Sequence, residues 1–254
     1  MLLIGFYPSI AQGEPRGLEI MQKAHQNYYY AGGDFKAHVS MKLINKNGKV
    51  RTRTLTMLRK NYDNNQQKYF IYFHDPYEVK GMAFMVWKYM QKNDDRWLFI
   101  PSIKLIRRIA ASDKNSSFAG SDFTYEDVSG IEIEEETHQL QKEDTLNGKP
   151  VFVVVSTPKE KGAYTKRISY IDKGYYLPLK EEYYDQHDKI YRVFEAVEIK
   201  EVGAIPTITK RVMQNKHTQH TTEVTLDHVA YTLGLSNEIF SERSLKTPPK
   251  QVME

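Results

Sequence analysis

The sequence predicts a mostly β protein, with an antiparallel sheet of about eleven strands after one N-terminal helix. Three observations support this fold class. Segments of alternating apolar and polar residues follow one another along most of the chain, and turn sequences join neighbours at hairpin distance. Tyr and Phe are also frequent, at 18 and 11 of 254 residues, and large flat side chains pack well on a pleated surface.

The first element is a helix, which we expect over Pro15 to Tyr30. Its apolar residues recur at helical spacing and form one stripe, and Gly32-Gly33 follows where a helix would end. A helix of this kind usually packs against a sheet. The stripe consists of Leu18, Met21, Ala24, His25, Tyr28 and Tyr29.

The strands come next. The first alternates apolar and polar residues in the manner of a half-buried strand, and Asn45 to Gly48 is a hairpin signal after it. The predicted strands are Lys36 to Leu43, Val50 to Lys60, Lys68 to His74, Gly81 to Tyr89, Asp95 to Ile100, Pro150 to Thr157, Lys166 to Asp172, Leu177 to Tyr184, Lys189 to Lys200, Ile205 to Gln214 and Thr221 to Ala230. Short connections between them indicate an antiparallel meander.

These strands define one domain over residues 15–245, because no linker rich in Gly, Ser or Pro divides the chain. Ser236 is a suitable N-cap for a short helix near its end, and residues 246–254 follow as a tail.

Two segments do not fit the meander. Pro101 to Asp122 is long for a loop, apolar and basic, and long loops are often lids or binding loops. Ile131 to Asn147 is predicted to be irregular, and its acidic run from Glu132 to Glu136 to be a solvated face.

Residues 1–11 are uncharged and apolar, and Ser9 and Ala11 stand where a signal-peptidase site has small residues. We interpret them as the remnant of a signal peptide, with an ordinary apolar strand as the alternative. The chain has no cysteine, so no lipid-modified cysteine follows this signal, and we expect an exported protein free in its compartment.

The sequence contains none of the common catalytic motifs, so we predict no enzyme, no catalytic residues and no cofactor. A Ser-His-Asp triad assembled in space remains an alternative. His217, His220 and His228 lack the spacing of a metal site and are interpreted as solvated loop histidines, so no metal is predicted. The net charge is only +4, and the chain has no long run of basic residues, which argues against nucleic acid binding.

Aromatic and aliphatic residues cluster in sequence around the long apolar-basic segment. They either fill the core or line a ligand cavity under a lid. The predicted cavity or lid residues are Trp87, Trp97, Phe99, Ile103, Leu105, Ile106, Ile109, Phe118 and Phe123, with Tyr89 and Tyr125 nearby. Arg107 and Arg108 are predicted to contact anionic head groups or a protein partner.

Two stretches resemble a known family. DRWLFIPSIKLIRRIAASDKNSSFAGSDFTYEDV, Asp95 to Val128, and YIDKGYYLPLKEEYYD, Tyr170 to Asp185, are similar to the outer-membrane lipoprotein-sorting proteins, relatives of the lipoprotein carrier LolA. The resemblance spans essentially the whole mature chain. It implies a half-open antiparallel β-barrel with short lid helices or loops over its concave face, in the periplasm of a Gram-negative bacterium. It implies no fixed set of binding residues.

The function that follows from this resemblance is a soluble periplasmic carrier or chaperone, which binds acyl chains of lipoproteins or other lipids for transfer towards the outer membrane. Transient membrane contact is expected, and an inner-membrane transporter of the resistance-nodulation-division (RND) or ABC type is the expected protein partner. The alternative is an accessory interaction protein of an RND-type envelope transporter, with the sheet as its docking surface.

Overall fold

The computed structural model describes residues 13–90 and 92–253, with side chains from Arg16 onward. The apolar residues 1–11 lie outside this part. The described residues form one long helix, thirteen strands, three short α-helices and four short 3-10 helices. No helix among these residues is long and apolar enough to cross a membrane.

The helices are α1 (Gly13–Tyr29), α2 (Tyr125–Ser129), α3 (Glu242–Lys246) and α4 (Lys250–Met253). The strands are β1 (Asp34–Ile44), β2 (Val50–Asn61), β3 (Gln67–Asp75), β4 (Ala83–Lys88), β5 (Asp95–Ile100), β6 (Leu105–Ile109), β7 (Glu136–Leu146), β8 (Lys149–Pro158), β9 (Lys166–Asp172), β10 (Pro178–Tyr184), β11 (Ile190–Val202), β12 (Ile205–Asn215) and β13 (His220–Tyr231).

All thirteen strands belong to one antiparallel sheet, in the order β6-β5-β4-β3-β2-β1-β13-β12-β11-β10-β9-β8-β7. Every neighbour is consecutive in sequence except β1 and β13, which pair through Phe35 and Tyr231 at one end and Ile44 and Thr221 at the other. The sheet does not close, because β6 and β7 are its two edges. The predicted fold class, mostly β with an N-terminal helix and a half-open antiparallel sheet, is therefore confirmed.

Eleven of these strands match the predicted ones, and the two edge strands were missed. The prediction that Ile131 to Asn147 is irregular was wrong, because β7 occupies Glu136–Leu146 and pairs with β8 along its length. Half of β7 is exposed on both faces, so its sequence carries no apolar alternation. β6 lies within the predicted lid segment and pairs with β5.

Helix α1 packs across the inner face of β8 and β9. Ile20, Met21 and Ala24 are buried against Phe152 and Val154. Gly17 meets the edge strand β7 so closely that a Cβ atom there would lie 2.5 Å from the carbonyl oxygen of His138. Helix α1 thereby covers the first half of an otherwise free sheet edge, which prevents further strand pairing there.

The sheet is covered on both faces at β2 to β5. Its concave face carries the main core, while its outer face is covered by the C-terminal segment 235–252. Phe240 and Val252 of this segment are 1% and 0% exposed, so the predicted tail contributes a buried residue. A short 3-10 helix begins after Ser236, whose hydroxyl accepts a hydrogen bond from the Glu238 amide, as predicted for its N-cap. Burial on both faces explains the uninterrupted apolar run in β4.

Candidate functional site

A single segment, residues 110–133, crosses the concave face between the edge strands β6 and β7; we name it the cover. Its chain is folded on itself by a backbone bridge between Ser117 and Thr124. Thr124 then begins α2, where its hydroxyl accepts from the Asp127 amide and the Asp127 carboxylate accepts from the Thr124 amide at 2.7 Å. This reciprocal cap fixes the side chain of Asp127 at the start of the helix.

The cover turns its aromatic residues towards the sheet. Phe118, Phe123 and Tyr125 are 3%, 7% and 8% exposed. The ring of Phe118 packs edge-on against Phe84 with centroids 5.4 Å apart, and Tyr125 lies 5.1 Å from the same ring. The cover therefore fills the apolar space over this part of the concave face with its own side chains.

Polar contacts attach the cover to strands in both halves of the sheet. On β4, the buried Lys88 donates a hydrogen bond to the Gly130 carbonyl at 2.7 Å and pairs with Glu132 at 2.6 Å. The other main contacts are on β11 and β13.

Asp127 receives two hydrogen bonds from the guanidinium of Arg192 in β11, at 2.8 and 3.0 Å, and both side chains are 7% exposed. Asp122 accepts a hydrogen bond from Thr222 at 2.7 Å and lies 2.6 Å from His220, both in β13. The bidentate ion pair with Arg192 is the strongest type of contact in this set, because it is charged, planar and buried.

The end of α1 fills the concave face from the opposite side. Tyr28 accepts a hydrogen bond from Arg211 at 3.2 Å, and the Tyr29 hydroxyl donates to the Asp127 carbonyl at 3.3 Å. Burial raises the pKa of both tyrosines, that of Tyr29 strongly, so both are neutral hydrogen-bonding groups. Helix α1 and the cover thus meet over the sheet at Tyr28 and Tyr29.

Three small cavities remain between the sheet and these two elements, and Tyr28 lines all of them. Their volumes are about 60, 50 and 30 Å³. The 50 Å³ cavity is bounded by Val39, Leu55, Phe118 and Phe123, among others, and is mostly apolar. A cavity of roughly 150 Å³ is needed for a molecule as small as benzene. In this conformation the concave face therefore has room for a few solvent molecules but not for an acyl chain.

A larger cleft of about 580 Å³ lies outside the cover, beside the loop between β8 and β9. Its lining carries charges of both signs, including Lys114, Lys159, Glu134 and Glu160. Burial of Glu126 at its rim raises the pKa of that carboxyl, while Lys114 pairs with it at 2.7 Å. The polar lining makes this cleft unsuited to an apolar chain.

The structure divides the predicted cavity and lid residues among three environments. Ile109, Phe118 and Phe123 lie in the concave core. Trp87, Trp97, Phe99 and Ile106 pack instead on the outer face with the C-terminal segment. Ile103 and Leu105 are 63% and 48% exposed at the turn into β6. The division follows from strand alternation, since neighbouring residues of one strand point to opposite faces.

The two arginines predicted to contact head groups or a partner stand on the exposed edge strand β6. Arg107 lies 3.7 Å from Asp113, and its side chain is 60% exposed. Arg108 pairs with Asp95 and lies over the Trp97 ring, with its side chain 66% exposed. Both are accessible from solvent, and neither lines a concave cavity.

Two further interpretations need correction. The run from Glu132 to Glu136 is not a solvated face throughout: Glu136 is 4% exposed, paired with Arg167, and accepts a hydrogen bond from Tyr164 at 2.7 Å. His220 is not a loop residue but lies in β13, bonded to the cover. Within the described ranges 13–90 and 92–253, no group of three candidate ligands is placed to hold a metal ion.

Sequence reasoning missed the polar residues of the concave face. These are Arg59, Asp127, Arg192 and Arg211. One signal was available for Arg59, because it follows Leu55 and Met57 at the two-residue period of an inward strand face. No sequence signal pairs Asp127 with Arg192, which are 65 residues apart.

Comparison with known proteins places this architecture in a family. A family model described as an uncharacterized protein matches residues 65–247. No curated protein matches the chain.

Two solved structures are similar to the chain in both fold and sequence. A DUF1329 family protein from Desulfovibrio piger has a TM-score of 0.86 and 25% identity, with coverage of 92% of this chain and 100% of that one. A protein from Vibrio parahaemolyticus, described as an outer membrane lipoprotein-sorting protein domain, has a TM-score of 0.85 and 30% identity, with coverage of 92% and 99%.

A third structure shares the fold alone. It is a LolA superfamily protein from Nitrosomonas europaea, with a TM-score of 0.70 and 15% identity, over 92% of this chain and 99% of that one. With the Vibrio match spanning nearly all of both chains, the chain belongs to the outer membrane lipoprotein-sorting protein family and has the LolA-like fold.

Proposed function

We propose that this protein is a soluble periplasmic carrier that binds acyl chains of lipoproteins or other lipids beneath the cover and transfers them towards the outer membrane. The observation that supports the proposal is the construction of the concave face. An apolar floor is covered by a separate segment, which packs on it through aromatic side chains and is attached by polar contacts at its margins.

Binding requires the cover to move, because the cavities beneath it are too small for a chain. Displacing Phe118 and Phe123 exposes apolar floor, including Val39 and Leu55. An acyl chain that replaces them recovers about 0.8 kcal/mol per buried methylene. The exchange of one apolar occupant for another keeps the difference in free energy between the closed and the loaded states small, which suits a carrier that must release its cargo.

The exposed apolar residues at one end of the sheet provide the surface for delivery. Tyr77, in the turn after β3, is 92% exposed, and Ile103 is 63% exposed in the turn after β5. Lys80 and Lys104 are exposed beside them in the same two turns. Together with Arg107 and Arg108, these residues suit transient contact with an anionic bilayer surface or an acidic partner.

The test is displacement of a neutral fluorescent acyl probe from the purified protein. A probe bound at micromolar concentration and displaced by a palmitoylated peptide would support the carrier. The variant Val39→Phe, which places more bulk on the floor itself, is expected to weaken binding, while Val197→Phe, at a position of β11 that is 60% exposed, serves as the matched control. A protein that binds neither probe nor lipopeptide under any condition, and carries no lipid in native mass spectra, would rule the proposal out.

The exposed residues of the turns after β3 and β5 also favour the second candidate, an accessory protein of an RND-type transporter. Tyr77 and Ile103 would then contact the transporter rather than lipid. Recovery of a stable transporter complex from membranes, lost in a Tyr77→Ser and Ile103→Ser double variant and accompanied by no lipid exchange, would favour this function over the carrier.

A further inference from the structure

The charges on the concave face do not balance. Asp127 and Arg192 neutralise one another, and Arg167 is paired with Glu136 and Glu181. Arg59 and Arg211 line the same 60 Å³ cavity, and over residues 16–90 and 92–253 neither has a carboxylate within 4 Å. The cavity therefore has two positive charges in excess of its ion pairs.

Arg59 is the more deeply buried of the two. It is 5% exposed, its guanidinium donates to the carbonyl of Ala31, and its Nε has no hydrogen-bond partner among the described residues. Its guanidinium also lies 5.2 Å from the ring of Phe35 and beside the hydroxyl of Tyr69, and neither of these groups is an anion. A guanidinium has five donors in a fixed fork, so this one retains capacity to bind an anionic oxygen.

Arg211 connects the polar cavity to the apolar one. It lines both the 60 Å³ and the 50 Å³ cavities. Its guanidinium donates to the Tyr28 hydroxyl and lies 5.9 Å from the ring of Phe123. Both partners belong to the elements that fill the concave face, so movement of the cover and of the end of α1 would leave Arg211 exposed to a ligand.

Opening the cover changes the charge of the site further. Asp127 is on the cover, whereas Arg192 is on strand β11 of the sheet. Displacement of the cover removes the carboxylate and leaves the arginine. In the closed state the Asp127 carboxylate therefore occupies a position where a ligand's anionic group would meet Arg192.

We infer that the ligand is an anionic amphiphile: a long acyl chain that ends in a carboxylate or phosphate. Its anionic oxygens pair with Arg59, Arg211 and, in the open state, Arg192. Its chain lies on the apolar floor, over the paired residues Val39 and Leu55. The inference rests on the proposed function and restricts it, because a lipoprotein acylated at a neutral cysteine has no such group at the end of its chains.

The test compares three ligands of equal chain length: hexadecanoate, hexadecyl phosphate and hexadecanol. Each competes with a neutral fluorescent acyl probe on the full chain, below its micelle concentration. We expect at least one anion to compete about tenfold or more better than the alcohol, the factor expected for charge-assisted hydrogen bonds. The carboxylate and phosphate arms distinguish a fatty acid from a phospholipid as the source of the anionic group.

Variants locate the effect. Arg211→Gln and Arg59→Gln should each lose most of the preference for anions while keeping the affinity for hexadecanol. Arg211 is only half-buried, so its variant is informative even if Arg59→Gln does not fold. Lys210→Gln removes a charge from the exposed neighbour of Arg211 in β12 and should leave the preference unchanged.

The outcomes separate the two proposals. Equal competition by all three ligands, or a preference for the alcohol, would overturn the anionic ligand and leave the carrier intact. An anion preference that survives both arginine substitutions would overturn the assigned site. Failure of every ligand to displace or bind would overturn the carrier itself, and the inference with it.

Discussion

Loss of the ion pair between Asp127 and Arg192 should change both the ligand affinity and the stability of the protein. In Asp127→Asn the amide keeps an oxygen that can cap Thr124, but the charge is removed and Arg192 stays buried without a carboxylate. Both side chains are 7% exposed, and they share two hydrogen bonds. Breaking one partner of such a buried pair costs about 3–5 kcal/mol.

Because the pair joins the cover to the sheet, its loss destabilises the closed state by this free energy and does not affect a state in which the cover is open. A loss of about 3 kcal/mol raises the open-to-closed ratio by more than about 100-fold. The affinity for a neutral acyl probe should rise by up to the same factor, until the open state predominates. Stability against urea should fall by no more than the same ~3–5 kcal/mol, because the strands remain paired in the open state.

The assay measures two quantities on the same variant, the probe dissociation constant and the urea midpoint. Asp144→Asn, which removes a carboxylate from an exposed pair with Lys142, is the matched control and should change neither. A variant that loses stability but binds the probe no more tightly than the wild type would refute the reasoning, because the ion pair would then stabilise the fold without restricting access.

Three further predictions concern stability. Burial lowers the pKa of His25 from 6.5 to about 3, so the folded state resists a proton that the unfolded state binds. Stability is therefore retained above pH 6.5 and falls by about 2 kcal/mol between pH 6.5 and 4.5, and His25→Gln should flatten this fall in urea titrations. Gly17→Ala should destabilise by about 1–3 kcal/mol despite the helix preference for Ala, since the new Cβ meets the His138 carbonyl; Gly33→Ala, with open space around it, should not. Phe240→Ala should cost about 3–5 kcal/mol in urea unfolding and shift the fluorescence of the two tryptophans, which both pack on the outer face beside it.

Much of the fold follows from local pattern. Strands buried on one face, such as β1, alternate apolar and polar residues, and this alternation locates them within a few residues. The edge strands do not follow the rule. β7 is exposed along most of its length, and β6 has only Ile109 buried, so neither presents a repeating apolar face.

The candidate site could be predicted only in part. Phe118 and Phe123 were expected to lie in the cavity or its lid, and the structure places both on the cover, packed against the concave face. Trp87 and Trp97 were grouped with them by proximity in sequence, but strand direction and the C-terminal segment decide that they face outwards. Which face of a strand is concave depends on contacts more than 100 residues apart, and sequence pattern contains no such information.

Charge pairing is the least predictable feature. In the sequence, Arg192 is one of several polar residues of β11 and has no feature that marks it. Only the fold brings it next to Asp127. The same holds for Arg59, which has no carboxylate within 4 Å among the residues that the structure describes; this becomes visible only when its neighbours are known. The chemical character of the ligand therefore had to come from the three-dimensional structure.

The central claim is that the cover must leave the sheet before an acyl chain can bind, and a reversible disulfide tests it most directly. Asp122 and Thr222 are hydrogen-bonded neighbours across the boundary between the cover and β13. The chain has no cysteine of its own, so Asp122→Cys with Thr222→Cys creates a single possible bridge. We predict that the oxidised protein does not bind the acyl probe and that reduction restores binding in the same sample. Equal binding by the oxidised and reduced forms would contradict the account.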